Sequence, residues 1–301
     1  MMKRVVIAIV ISLIGSGVLS YPFIANYLAE LHGSQAIDSY DAGVNDLSST
    51  DLARVWEEAE AYNRSLAGTP VGDPFIDGTG MAMPDTYWQT MSIAGVMGSI
   101  DIPNINVHLP IYHGTGEEAL TKGVGHLEGS SLPIGGPSRH SILTGHTGLS
   151  SAKLFTDLIE LQYGDIFYIN VLGETLAYKV DQIKVITPEE VTDLVRIDGK
   201  DYVTLLTCTP YGVNSHRLAV RGERIPYDPD EHSEATHTRS STDQKVLFAA
   251  LITTGVMLLL IIIVVFFKRR RRKDEEPTTP QTAPAIKTPA NRSKSLPRRG
   301  I

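Results

Sequence analysis

The chain holds one cysteine, Cys208, at the end of the apolar run "TLLTC" and just before a Thr-Pro step. A thiol attacks only as its thiolate, which needs a positive charge or a base beside it. Without one, a lone cysteine is an inert, buried hydrophobe. The nearest candidate charge is Arg217, nine residues later. If "DYVTLLTC" and "HRLAVRGE" are neighbouring strands joined by "TPYGVNS", the spacing closes a hairpin and brings the guanidinium to the thiol. The base must come from nine histidines. His32, His232 and His237 fall in linker-like sequence. His216 adjoins Arg217, so on a strand it points to the opposite face. His108, His113, His126 and His140 have no supporting pattern, with His126 in "GVGHLEGSSLPIGG" kept in reserve. His146 differs, because it follows the apolar strand "SILTG" and enters a Gly-containing loop, where functional groups are commonly presented. Cys208, His146 and Arg217 are thus the candidate nucleophile, base and positive charge of one site.

The elements that must position them read as follows. Residues 48–68 carry Leu52, Val55, Trp56, Ala59, Tyr62 and Leu66 at helical spacing, with Ser48 and Asp51 as a capping pair and Gly68 as a stop. "GTPVGDPFIDGTG" is an irregular loop. From about Ala94 the pattern changes to short β-branched runs: "GSIDIPNINVHLPIY", "HSILTGH", "GDIFYINVLG", "ETLAYKVDQIKVIT", "DYVTLLTC" and "HRLAVRGERI". This predicts an all-β barrel or sandwich with short helices. "SSAKLFTDLIEL" is the one helix expected inside it.

Two apolar runs flank this region. Val246–Phe267 is 22 residues without a charge, long enough to cross a bilayer as a helix. Val5–Leu19 follows Lys3 and Arg4 and reads as an uncleaved anchor in preference to a signal peptide. Basic residues before the first run and "KRRRRK" after the second place both termini in the cytoplasm and the intervening residues outside the cell. The net charge is −7, and the basic residues crowd into the ends, so the outer region is strongly acidic and not suited to nucleic acid. The tail from Asp274, with its repeated Thr and Pro, is expected to be disordered. One cysteine excludes an intrachain disulfide.

"LTGHTGL", "TLLTCTPYGVNSHRLAVRG" and "IDIPNINVHLPIYHG" together resemble the sortases, the cysteine transpeptidases of Gram-positive bacteria. The similarity spans about residues 94–226. It implies a closed eight-stranded β-barrel preceded by N-terminal helices and flanked by transmembrane helices. By the same resemblance Cys208 is the nucleophile at one strand end and Arg217 starts the next strand, with His146 the general acid and base. Thr207, within the T-L-x-T-C pattern, is a supporting residue. "GDPF" looks like the lid of class C, pilin-polymerising sortases, so Asp73 is expected to approach Arg217, Pro74 to shape the turn, and Phe75 to cover Cys208. The implied layout is a membrane anchor or signal segment over 1–28 and a helical region over 29–93 with a lid at about 69–80. A catalytic barrel over 94–226, a linker over 227–245, a transmembrane helix over 246–267 and a basic cytoplasmic tail over 268–301 complete it.

The resemblance further implies cleavage of an L-P-x-T-G sorting signal between Thr and Gly through a thioester, with a pilin lysine as acceptor and a covalent pilus as product. Attachment of proteins to peptidoglycan, hydrolysis by water, and a catalytically silent binding module are the rival readings. No cofactor is expected, and no spacing resembles an EF-hand loop, so no metal is expected either.

Overall fold

The computed structural model describes residues 2–66, 72–75 and 83–235, which lie within one compact unit. Helix α1 (Met2–Asp46) carries Pro22 in its interior and crosses the expected boundary at residue 28 without a break. Helix α2 (Ser49–Ser65) begins where the capping pair places it: Asp51 N–H donates to Ser48 Oγ at 3.1 Å, and Ser48 Oγ donates to Asp51 Oδ2 at 2.6 Å. Its Asn63 locks onto the barrel, accepting from Leu132 N–H at 2.7 Å and donating to Leu132 O at 3.3 Å. A five-residue helix, α3 (Asp85–Gln89), follows.

The rest is a closed barrel of eight strands: β1 (Gly98–Ile102), β2 (Val107–His113), β3 (Val124–His126), β4 (Arg139–Thr144), β5 (Ile166–Val171), β6 (Glu174–Ile186), β7 (Asp201–Thr209) and β8 (His216–Ile225). The order around the barrel is β1-β2-β3-β4-β7-β8-β6-β5. The β2–β3 and β4–β7 pairs are parallel, and the others antiparallel. Helix α4 (Glu117–Lys122) makes the crossover between β2 and β3. Because successive side chains alternate across a strand, β7 sends Val203 and Leu205 into the main core with Ile100, Ile111, Leu143, Phe167 and Val220. Its opposite face carries Leu206, which packs in a second cluster with Ile142, Ala219, Ile186 and Leu194. Gly222 is required where it stands, since a Cβ there would lie 2.6 Å from the Phe167 ring.

Two expectations change. "SSAKLFTDLIEL" forms only a 3₁₀ turn, Thr156–Glu160, because Leu154 sits at φ +44° and breaks any longer helix before it starts. That turn packs the buried Phe155 against Gly145, while Phe155 N–H donates to His146 O at 3.1 Å. Residues 229–235, expected as linker, are helical. His232 docks them on the barrel: its ring stacks on Tyr168 at 3.8 Å between centroids, and Nε2 lies 2.9 Å from Asp101 Oδ2. Among the described residues no helix is long and apolar enough to cross a membrane, so the structure does not show the first expected span. The second, over 246–267, lies outside the described residues, as do the tail and most of the lid loop.

Two histidines are spent on the core. His126 faces the barrel interior with Tyr87 Oη 3.0 Å from Nδ1 and Ser131 O 2.9 Å from Nε2. His140 sits between Val195 O and Thr204 Oγ1. Burial pushes each ring down to about 4 from its ordinary value. Unfolding therefore takes up protons below about pH 6.5, so this stabilisation is complete above 6.5 and is lost as the pH falls toward 4. The shifts correspond to roughly 3 kcal/mol for each ring at most. Urea midpoints at pH 7, 5.5 and 4.5 should fall steeply in that order; a flat series would contradict the assignment.

Candidate active site

The sheet order places three candidate side chains on, or just past the end of, three adjacent strands. In the parallel β4–β7 pair Thr144 stands opposite Leu206, so His146, two residues past Thr144, is level with Cys208, two residues past Leu206. In the antiparallel β7–β8 pair Cys208 stands directly opposite Arg217. Parity puts Cys208 and Arg217 on the outer face of the barrel, over a floor of Ile142, Leu206 and Ala219. The loop holding His146 is pinned from several sides. Gly145 N–H donates to Leu206 O at 3.1 Å, Thr207 Oγ1 donates to Gly145 O at 2.6 Å, and Thr147 and Thr207 share a hydrogen bond of 2.6 Å. Thr207 thus faces away from the thiol and acts on the histidine's loop.

The "GDPF" segment lies on this face although about 135 residues separate it from Cys208 in the chain. Asp73 accepts from Arg217 Nε at 2.8 Å, and both side chains are almost fully buried. The second carboxylate oxygen of Asp73 accepts from Phe75 N–H at 2.7 Å, which closes a tight turn across Pro74. The Phe75 ring lies 5.1 Å from the Arg217 guanidinium carbon and 6.0 Å from the His146 ring centre. It therefore bridges the two side chains that flank Cys208, and it packs against the outer cluster. Arg217 Nη1 also donates to Asn214 O and His216 O, at 3.0 and 3.1 Å. These bonds hold the guanidinium in place, with Asp73 occupying the side it would present to a substrate.

Cys208 is 8% exposed. Burial pushes its thiol above the ordinary range; Arg217 pulls it down, and Asp73 pushes it up again. A closed segment over residues 72–75 thus favours the protonated, unreactive thiol. His216 is exposed beside Ser215, and His126 faces the interior, so neither shares this face with Cys208. Sequence reasoning missed one nearby group: Glu117 Oε2 lies 3.6 Å from His146 Nε2. A six-residue helix offered no periodic signal that could have announced it. Among the described residues no three His, Cys, Asp or Glu side chains converge as metal ligands would.

This barrel and site have known counterparts. Residues 100–225 match the sortase domain model. Sortase C1 of Streptococcus agalactiae is 47% identical, over 65% of this chain and 97% of that one, with a TM-score of 0.61. Sortase C-1 of Streptococcus pneumoniae is 49% identical over 64% and 100%, with a TM-score of 0.61. Sortase C-1 of Actinomyces oris is 52% identical over 59% and 99%, with a TM-score of 0.57. Among curated relatives, sortase A of Streptococcus agalactiae is 32% identical over 51% of this chain and 59% of its own. The chain belongs to the sortase family, whose members are cysteine transpeptidases. Its solved neighbours include class C sortases of pilus islands.

Proposed function

We propose that this protein is a class C sortase that cleaves an L-P-x-T-G signal between Thr and Gly and joins the acyl group to a pilin lysine. The observation that supports this most is the register of β4, β7 and β8, which sets His146, Cys208 and Arg217 side by side beneath Asp73 and Phe75. When residues 72–75 lift, Cys208 passes its proton to His146, and the thiolate attacks the threonine carbonyl. Arg217, freed of Asp73, donates to the developing oxyanion or the neighbouring substrate carbonyl. Collapse of the tetrahedral intermediate breaks the Thr–Gly bond, and His146 protonates the departing glycine amine. The lysine amine then attacks the thioester and releases the thiolate. In this reading residues 94–226 are the catalytic unit, 69–80 the lid, and 1–28 and 246–267 the membrane attachments, with the catalytic unit outside the cell and both termini in the cytoplasm.

The peptidoglycan-anchoring alternative predicts an open site; the Asp73–Arg217 pair and Phe75 favour the lidded class. The test is to incubate residues 29–245 with an L-P-x-T-G peptide and a primary amine, using Cys208→Ala as the blank. The expected result is a mass-detected thioester on Cys208 and an amine-ligated product. A wild-type thiol that alkylates normally but never acquires an acyl group would leave only a binding module.

A further inference from the structure

Resting on the transferase reading above, the geometry points to Glu117 as the anionic group that receives the incoming amine. Helix α4 opens with two adjacent carboxylates whose surroundings differ. Glu118 is tied to Lys122 at 2.8 Å. Glu117 turns to the site, with Oε2 3.6 Å from His146 Nε2 and a side chain 79% exposed. The other carboxylate at the site, Asp73, is buried against Arg217 and out of a solvent-borne cation's reach. Glu117 is thus the accessible negative charge beside the histidine.

Its position is built by the fold. Gly114 N–H donates to Tyr87 Oη at 2.9 Å, and Thr115 Oγ1 donates to Glu128 at 2.9 Å, which fixes the chain entering α4. Ala119 and Leu120 are buried, and β3 then pairs with β4, which ends two residues before His146. The strand order gives direction as well. Arg217 stands on the β8 flank of Cys208 and repels a cation, whereas the β4 flank carries Glu117. An alkyl ammonium is therefore drawn to the thioester from the histidine side.

A lysine amine arrives protonated and must lose a proton before it can attack. Held at Glu117, it lies next to His146, which is neutral after protonating the glycine leaving group. The ammonium passes one proton to His146, and its nitrogen forms the new amide bond. The carbon–sulfur bond breaks with its electron pair going to Cys208, and the second ammonium proton leaves to solvent. The thiolate and the protonated imidazole are then restored together.

The experiment compares two acceptors, cationic cadaverine and neutral hydroxylamine, with wild type, Glu117→Gln and Glu117→Asp. The expected result is a rise in the ratio of KM for cadaverine to KM for hydroxylamine of about two- to fivefold in Glu117→Gln, as an exposed pair allows. Glu117→Asp should keep most of the preference, and about 0.5 M salt should erase the difference between wild type and Glu117→Gln by screening. An unchanged ratio overturns the assignment. So does an equal loss with both acceptors, which would mean that Glu117 only holds His146 in place. Failure of the wild type to form a thioester at all would overturn the transferase reading itself.

Discussion

Arg217→Ala is expected to lower the rate of thioester formation by about 10²–10³-fold, the usual loss when one preorganised donor to a developing oxyanion is removed. Two effects oppose each other in this variant. Truncating one partner of a buried ion pair costs about 3–5 kcal/mol if the other charge stays buried, and here Asp73 would lose its buried guanidinium partner. Asp73 belongs to a loop, however, so it can escape by lifting into water, and residues 72–75 should come off the site. Lifting alone speeds acylation, because removing the burial and the Asp73 charge lowers the thiol. The chemical loss is larger, so the net effect is slow turnover at an open site. Single-turnover acylation followed by mass, beside Asp73→Asn, separates the two: Asp73→Asn opens the site and keeps the guanidinium, so it should be faster than wild type. An Arg217→Ala protein as fast as wild type would sink the role given to Arg217.

The second large effect is a gain. In Asp73→Ala with Phe75→Ala, Cys208 loses most of its burial and a neighbouring negative charge, the first and third causes acting on its thiol, and keeps Arg217. The first and third raise the thiol and Arg217 lowers it, so the change must lower it. At pH 7.5 wild type lies well below its thiol transition, where each unit of lowering multiplies the thiolate about tenfold. Alkylation by iodoacetamide at that pH should therefore accelerate, with the inflection of rate against pH moving to lower pH. Acyl transfer should rise in parallel. Equal alkylation rates and an unmoved inflection would show that residues 72–75 do not gate the thiol.

How much of this was legible can be judged element by element. Residues that meet through local rules were readable. Alternation in "DYVTLLTC" and "HRLAVRGERI", with the seven residues "TPYGVNS" between them, leads to the pairing of Cys208 with Arg217. The start of α2 was readable too, because Ser48 and Asp51 meet within one turn. The three-residue β3 was too short to carry a pattern, and α4 likewise. "SSAKLFTDLIEL" misled because its spacing suits a helix, whereas its backbone is set by contacts with Gly145 and His146. His232 read as a linker residue because its partners, Tyr168 and Asp101, lie in distant strands.

By itself the sequence determined the all-β class, the strands that carry the thiol and the guanidinium, and a charge distribution unsuited to nucleic acid. Resemblance, not periodicity, singled out Asp73 and Phe75. Tertiary structure alone decided that Asp73 occupies Arg217, that Phe75 bridges Arg217 and His146, that His126 belongs to the core, and that Glu117 stands beside His146. The division has a physical cause. Alternation and capping act between residues a few positions apart, so one stretch of chain contains both partners. An ion pair between residues 73 and 217 exists only after the barrel has closed and carried two remote loops to one face.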